Sequence, residues 1–91
     1  MKTRNIAVIV DDIYDIAEKN LDENDDKWPL VLGLRSLLTS LQYAAPEHVN
    51  SGHYFHRLGI YLNKYIDKND YENVEWCKEI IDIYQDPNYK L

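Results

Sequence analysis

Three histidines, His48, His53 and His56, are all the histidines of the chain and fall within nine consecutive residues. Imidazoles three apart on a helix share a face, so His53 and His56 could approach one metal ion, with His48 or Glu47 reaching in from an adjoining turn. The tight cysteine or histidine pairs of structural zinc sites are absent, and the lone Cys77 is far away in sequence. The rings therefore read as hydrogen-bonded packing residues, and neither a metal nor a cofactor is expected. The stretch from Asp22 to Asp26 raises a second possibility, because Asp22, Asn24 and Asp26 occupy the first, third and fifth ligand positions of a calcium loop. The sixth position, glycine in such loops, is Lys27, and the twelfth, a bidentate carboxylate, is Gly33. A solvated loop is the simpler reading. Ser36, Ser40 and Ser51 lie in no Gly-x-Ser-x-Gly context, and three glycines in all form no phosphate-binding loop. Cys77 falls in helical register with Val74, Ile81 and Tyr84, which makes it a small core hydrophobe. No catalytic residue is assigned, and the chain does not read as an enzyme.

What remains is charge. Sixteen carboxylates face ten lysines and arginines, for a net charge of −6. The imbalance is blockwise: +2 over residues 1–10, −7 over 11–26, +3 over 27–66, −5 over 67–86 and +1 over 87–91. Within the first acidic block Asp11, Asp15, Glu18 and Asp22 follow steps of four, three and four. Within the second, Glu72, Glu75, Glu79, Asp82 and Asp86 follow steps of three, four, three and four. On a helix each set makes one ridge. Like charges at this spacing lie roughly 5–6 Å apart and destabilise a helix by a few tenths of a kcal/mol per pair. A chain shaped by stability alone would interleave lysines. Rows of carboxylates on a rigid body would instead suit a basic groove, with association steered electrostatically.

The elements that must carry these ridges follow from apolar periodicity. Ile6, Val10, Ile13, Ala17 and Leu21 recur at steps of four, three, four and four, which predicts a first helix over 3–21 with Thr3 as its N-cap. The β-branched run Ile6 to Val10 could be a strand, but the helical pattern continues past it. Trp28-Pro29 opens a second helix, about 29–43, whose stripe is Leu30, Leu34, Leu37, Leu38 and Leu41. Ala44-Ala45-Pro46 breaks it. An irregular joint follows, in which Pro46 could open a short helical turn and Asn50 or Ser51 could cap the next helix. That third helix, roughly 52–67, buries Phe55, Leu58, Leu62, Tyr65 and Tyr61. A fourth, about 70–85, carries Val74, Cys77, Ile81 and Tyr84 inward and ends at Asp86-Pro87-Asn88. Gly33 and Gly59 interrupt helical patterns at a cost of about 1 kcal/mol each, which a close helix crossing would offset. The expected fold is all-α: one domain over 1–91, with four helices, antiparallel and joined by short loops.

Aromatics make up 12% of the chain and apolar residues 45%, so it reads as folded rather than as a disordered acidic tail. Trp28, Tyr43, Tyr54, Tyr61, Tyr65, Trp76 and Tyr84 exceed what four helices of this length readily bury. A homodimer through the basic third helix is therefore expected, with Tyr54, Tyr61 and Tyr65 at the contact. Met1 leads into the polar residues Lys2 to Asn5 without the apolar run of a signal peptide or membrane span, which predicts a cytoplasmic protein that meets no membrane.

In size, composition and charge layout the chain resembles early proteins of large-genome phages, and its acidic ridges are similar to those of the phage DNA-mimic anti-restriction proteins of the Arn and Ocr type, nearest to Arn of T-even phages in length and acidity. The resemblance implies a noncatalytic dimer in the host cytoplasm, evading host defence by occupying the DNA-binding surface of a restriction nuclease or nucleoid-associated protein. No direct contact with nucleic acid is implied. The partner-binding residues, read from the helical spacing, are Asp11, Asp15, Glu18, Asp22, Glu72, Glu75, Glu79, Asp82 and Asp86. Two other readings stand beside it: an immunity protein or antitoxin that blocks a basic toxin nuclease, and a structural protein that oligomerises through its tyrosines.

Overall fold

Asn5 starts the first helix, its side-chain oxygen accepting from the Val8 N–H at 3.3 Å. In the computed structural model, which describes residues 5–49 and 52–89 apart from the side chains of Pro46 and His48, α1 runs Ile6–Asn20. The cap is thus Asn5, while Thr3 lies outside the described residues. Leu21 turns extended and ends the helix two residues before the acidic turn begins. The helices that follow are α2 (Trp28–Tyr43), α4 (His53–Tyr65), α5 (Lys68–Asn73) and α6 (Glu75–Gln85), with a single helical turn, α3 (Pro46–Val49), between α2 and α4. Among the described residues there is no strand, so the all-α expectation holds, including for Ile6 to Val10. The four-helix count does not. Pro46 does open a short turn, and the expected fourth helix is two helices, parted at Val74, whose backbone is extended at φ −117° and ψ 110°.

The turn 22–27 uses its carboxylates on its own backbone. Asp25 Oδ2 accepts from the Asp22 N–H at 2.9 Å, and Asp22 Oδ1 accepts from the Asn24 N–H at 2.8 Å. Side chains that bond local N–H groups favour turns over helix, which explains why α1 stops short of Asp22. At the far end of the loop Lys27 crosses to another part of the chain. Its ammonium donates to the Tyr65 carbonyl at 2.5 Å and to Asp70 Oδ2 at 2.8 Å. Asp70 in turn closes a reciprocal capping box with Asp67 at the start of α5. One lysine therefore joins the end of α4, the start of α5 and the start of α2.

The core is a single cluster to which every long helix contributes: Ile6, Ile9, Val10, Ile13 and Ala17 of α1, Leu30, Val31, Leu34 and Leu37 of α2, Tyr54, Leu58 and Leu62 of α4, Ile66, and Cys77 and Ile80 of α6. Expected core residues Leu21, Leu38, Leu41, Phe55, Tyr61, Tyr65, Val74, Ile81 and Tyr84 are half-buried around it. Helix α1 packs on α2, α4 and α6, so its inner face is wide enough to take both Ile9 and Val10. The two helical glycines make room for tyrosines. A Cβ at Gly33 would sit 3.3 Å from the Tyr61 ring, and one at Gly59 would lie 2.5 Å from the Tyr84 hydroxyl, which donates to the Phe55 carbonyl at 3.3 Å. The close approach at each of these glycines is to a tyrosine ring rather than to a second backbone. Gly52, at φ 84°, starts α4 from the left-handed region that glycine tolerates. The proposed caps Asn50 and Ser51 lie outside the described residues. Among the described residues no helix is long and apolar enough to cross a membrane.

Candidate acidic interface

Helices α1 and α6 pack side by side, and each turns carboxylates outward. On α1, Asp11, Asp15 and Glu18 are exposed. Ligand oxygens of Asp11, Asp12 and Asp15 lie within 4.8 Å of one another. Asp12 is absent from the ridge read off the spacing, because it sits about 60° round the helix from Asp15. That offset aims it toward α6. There its Oδ2 accepts from the Tyr89 hydroxyl at 2.6 Å. This hydrogen bond, with burial and the neighbouring charges of Asp12 and Glu79, pushes the Tyr89 phenol up to about 12. Tyr89 thus ties Asp12 of α1 to the turn that follows α6, while Asp11 lines a shallow groove with Leu38, Leu41 and Gln42 of α2.

The structure does not keep the ridges as long as the spacing implied. Asp22 lies beyond the end of α1 and is committed to the turn. Glu72 belongs to α5, across the Val74 break, with its carboxylate 3.9 Å from Lys68 Nζ. Asp86 is the C-cap residue of α6, and its Oδ1 accepts from the Asn88 N–H at 2.9 Å. What survives on one helix is Glu75, Glu79 and Asp82, continued by Asp86.

Cations also reach the face. Lys78 Nζ lies 3.0 Å from Asp82 Oδ2 and 3.4 Å from the Tyr71 hydroxyl, which itself donates to Asp82 Oδ1 at 2.9 Å. Lys78 and then the Tyr71 hydroxyl hold the Asp82 carboxyl below the usual range. On α2, Arg35 donates to the Tyr14 hydroxyl at 3.2 and 3.3 Å. That hydrogen bond raises the guanidinium's pKa, with a smaller contribution from Glu18. Among the described residues no ion pair forms at Asp11, Asp15, Glu75, Glu79 or Asp86. The exposed carboxylates without an ion pair are therefore Asp11 and Asp15 of α1 and Glu75, Glu79 and Asp86 of α6 and its C-cap.

The other candidate groups go elsewhere. His53 and His56 are exposed on α4, and the side chain of His48 is outside those described. Among the described residues only Asp11, Asp12 and Asp15 bring three ligand-type side chains within metal-binding reach of one another. Cys77 is fully buried, and its thiol is pushed up to about 11, first by desolvation and then by the Asp70 charge. Of the tyrosines expected at a dimer contact, Tyr54 is buried and Tyr61 and Tyr65 are half-buried against the core. Tyr54 is only 8% exposed, Tyr61 lies against Gly33, and Tyr65 is half-buried with Lys64 Nζ 5.5 Å from its ring centroid. Helix α4 thus sends one tyrosine into the core and one toward α2, while Tyr43, at the end of α2, is exposed. Exposed large apolar side chains are instead Leu32, Tyr43 and Ile60. No protein-family model, curated protein or solved structure matches the chain.

Proposed function

We propose that this protein is a noncatalytic inhibitor whose α1–α6 acidic face occupies the basic, DNA-binding surface of a partner protein, in the manner of a DNA mimic. The observation that carries the reading is that α1 and α6, each with exposed carboxylates, pack side by side and that Asp12 of α1 is bonded to Tyr89 in the turn after α6. Carboxylates at regular spacing on a rigid body attract a basic groove at long range and hold fixed positions on contact. The row from Glu75 of α6 to its C-cap Asp86 covers twelve residues, roughly 16 Å at the helical rise, with four carboxylates. That is sparser than the charge of a duplex strand, about one phosphate per 3.4 Å. One protomer thus imitates a few phosphates, and a homodimer would extend the surface. A restriction nuclease or nucleoid-associated protein is the proposed partner, in the cytoplasm of the cell that makes the inhibitor.

A second reading draws on the neutralisation of Asp82 by Lys78 and the nearness of Arg35 to Glu18. These confine the open charge to a compact patch, the size that suits an immunity protein or antitoxin seated on one basic toxin nuclease. Affinity capture from a bacterial lysate, followed by competition of the captured protein with duplex DNA, tests both. A mimic is displaced by DNA and binds less tightly as salt rises. Replacing Asp11, Asp15 and Glu18 together with Asn or Gln, or Glu75, Glu79 and Asp82 likewise, should weaken binding and flatten its salt dependence while leaving helicity unchanged. Unchanged affinity at low salt in both variants would remove the acidic-face reading.

A further inference from the structure

Helix α2 differs from the other long helices in its charge. Its sixteen residues include one charged side chain, Arg35, and that guanidinium is turned to the Tyr14 hydroxyl of α1. Leu32, Ser36, Thr39 and Tyr43 follow steps of four, three and four, so they form a single ridge along the helix, and all four are exposed. Leu32 is 47% exposed and Tyr43 84%. The Thr39 hydroxyl already donates to the Arg35 carbonyl at 3.0 Å, so covering it strands no donor. Another exposed apolar side chain borders the ridge. The start of α2 meets the end of α4 where Lys27 bonds the Tyr65 carbonyl, so the two helices run antiparallel, and Gly33 of α2 faces Tyr61 of α4. The residues that precede these two, Leu32 and Ile60, therefore project to the same side of the pair. Leu32, Tyr43 and Ile60, the exposed large apolar side chains among the described residues, thus share one side of α2 and α4.

We infer that this side binds a second copy of the chain, with α2 packed antiparallel on α2 across a two-fold axis that passes between Leu37 and Leu38. A two-fold contact sets a surface against itself, so a charged face meets its own charge. For a chain of net charge −6, Asp11, Asp15 and Glu18 exclude α1 from such a contact, and Glu75, Glu79 and Asp82 exclude α6. Arg57 and Lys64 disfavour a contact centred on α4. Helix α2, its one cation turned to Tyr14, meets its own image without opposing like charges. The ridge also matches its own reverse. Leu32 lies against Tyr43 of the second copy and Ser36 against Thr39 of the second copy, and each pair occurs twice, so apolar side chains meet at both ends of a ridge roughly 16 Å long. Depletion of charge and enrichment of tyrosine are the marks of an interface core. The inference goes beyond the acidic-face reading, since the contact uses neither acidic helix.

Sedimentation equilibrium of the full chain, from micromolar to hundreds of micromolar, reads the association, and substitutions locate it. Ser36→Glu sets like charges close together across the axis, as does Thr39→Lys. Each alone should raise the dissociation constant about ten-fold or more with helicity unchanged, since glutamate and lysine are good helix formers. Mixed in equal amounts, the two variants should associate about as tightly as the wild type, because the new carboxylate of one then faces the new ammonium of the other. Gln85→Glu, the same charge change as Ser36→Glu at an exposed position on α6, should leave association alone. Tyr43→Ala should weaken it about ten-fold. A wild type that keeps the single mass throughout would overturn the inference. So would a Ser36→Glu protein that associates as well as Gln85→Glu, or a mixture that associates no better than its two components alone. None of these outcomes bears on what the acidic helices bind, which competition of the captured partner with DNA judges separately.

Discussion

The Tyr89 hydroxyl, in the turn that follows α6, donates to Asp12 of α1 at 2.6 Å. Its phenol is pushed up to about 12, above the ordinary value near 10. A proton held more tightly in the folded state adds stability that is complete below pH 10 and is lost as pH climbs from 10 toward 12. Absorbance titration of the wild type minus Tyr89→Phe should therefore show one tyrosine ionising near pH 12. Denaturation midpoints of the two proteins should differ most below pH 10 and converge above 12. A difference spectrum titrating near pH 10 would show that the hydroxyl is not tied to Asp12.

Among the elements, the acidic turn and α5 are fastened by one pair whose strength comes from partial burial. Lys27 and Asp70 have side-chain exposures of 30% and 15%. Lys27 first, and then the Asp67 backbone, hold the Asp70 carboxyl below the usual range. A depressed carboxyl contributes stability that is full above the unfolded value near 4 and is lost as pH falls below it. Asp70→Asn should cost about 1–2 kcal/mol at neutral pH, because it weakens both a charge-assisted hydrogen bond and the α5 cap. The variant should also lose less stability than the wild type between pH 4 and pH 2. Urea unfolding at both pH values measures each effect, and equal acid sensitivity in the two proteins would mean that the pair is not formed. The break at Val74 is a finding of the same scale. It separates Glu72 from Glu75 and so shortens the charged row that the spacing suggested.

For the molecule as a whole, the question is whether one protomer offers enough charged length. With Tyr54 buried and Tyr61 and Tyr65 half-buried, the most exposed large apolar side chains among the described residues are Leu32, Tyr43 and Ile60. Leu32 of α2 and Ile60 of α4 are 47% and 51% exposed and belong to neither acidic helix. A contact there would leave both acidic faces open. Sedimentation equilibrium at micromolar concentration should show a species of twice 10.8 kDa, and Ile60→Asp should return it to the single mass with helicity retained. A single mass of 10.8 kDa in the wild type would remove the dimer and favour the compact-patch inhibitor over a mimic of extended DNA.

The sequence by itself determined that the chain is helical, roughly where the long helices run, and that carboxylates gather on the outer sides of the first and last. These are properties of one element at a time. Apolar recurrence at three and four places Ile6, Val10, Ile13 and Ala17 inside and Asp11, Asp15 and Glu18 outside, whatever the helix packs on. Even so, the spacing carries the helix to Leu21 and the acidic ridge to Asp22, whereas α1 ends at Asn20 because the turn's own hydrogen bonds outcompete further helix. The split at Val74 was missed, because neither glycine nor proline marks it. Tertiary structure alone decided which neighbour each side of a helix meets. It turned Asp12 toward Tyr89 across 77 positions of chain, seated Tyr61 and Tyr84 at the two glycines, and drew Lys27 to Asp70. Each of these depends on the angle and separation of two helices, and those are set by how all the buried side chains fit together rather than by the pattern along either one.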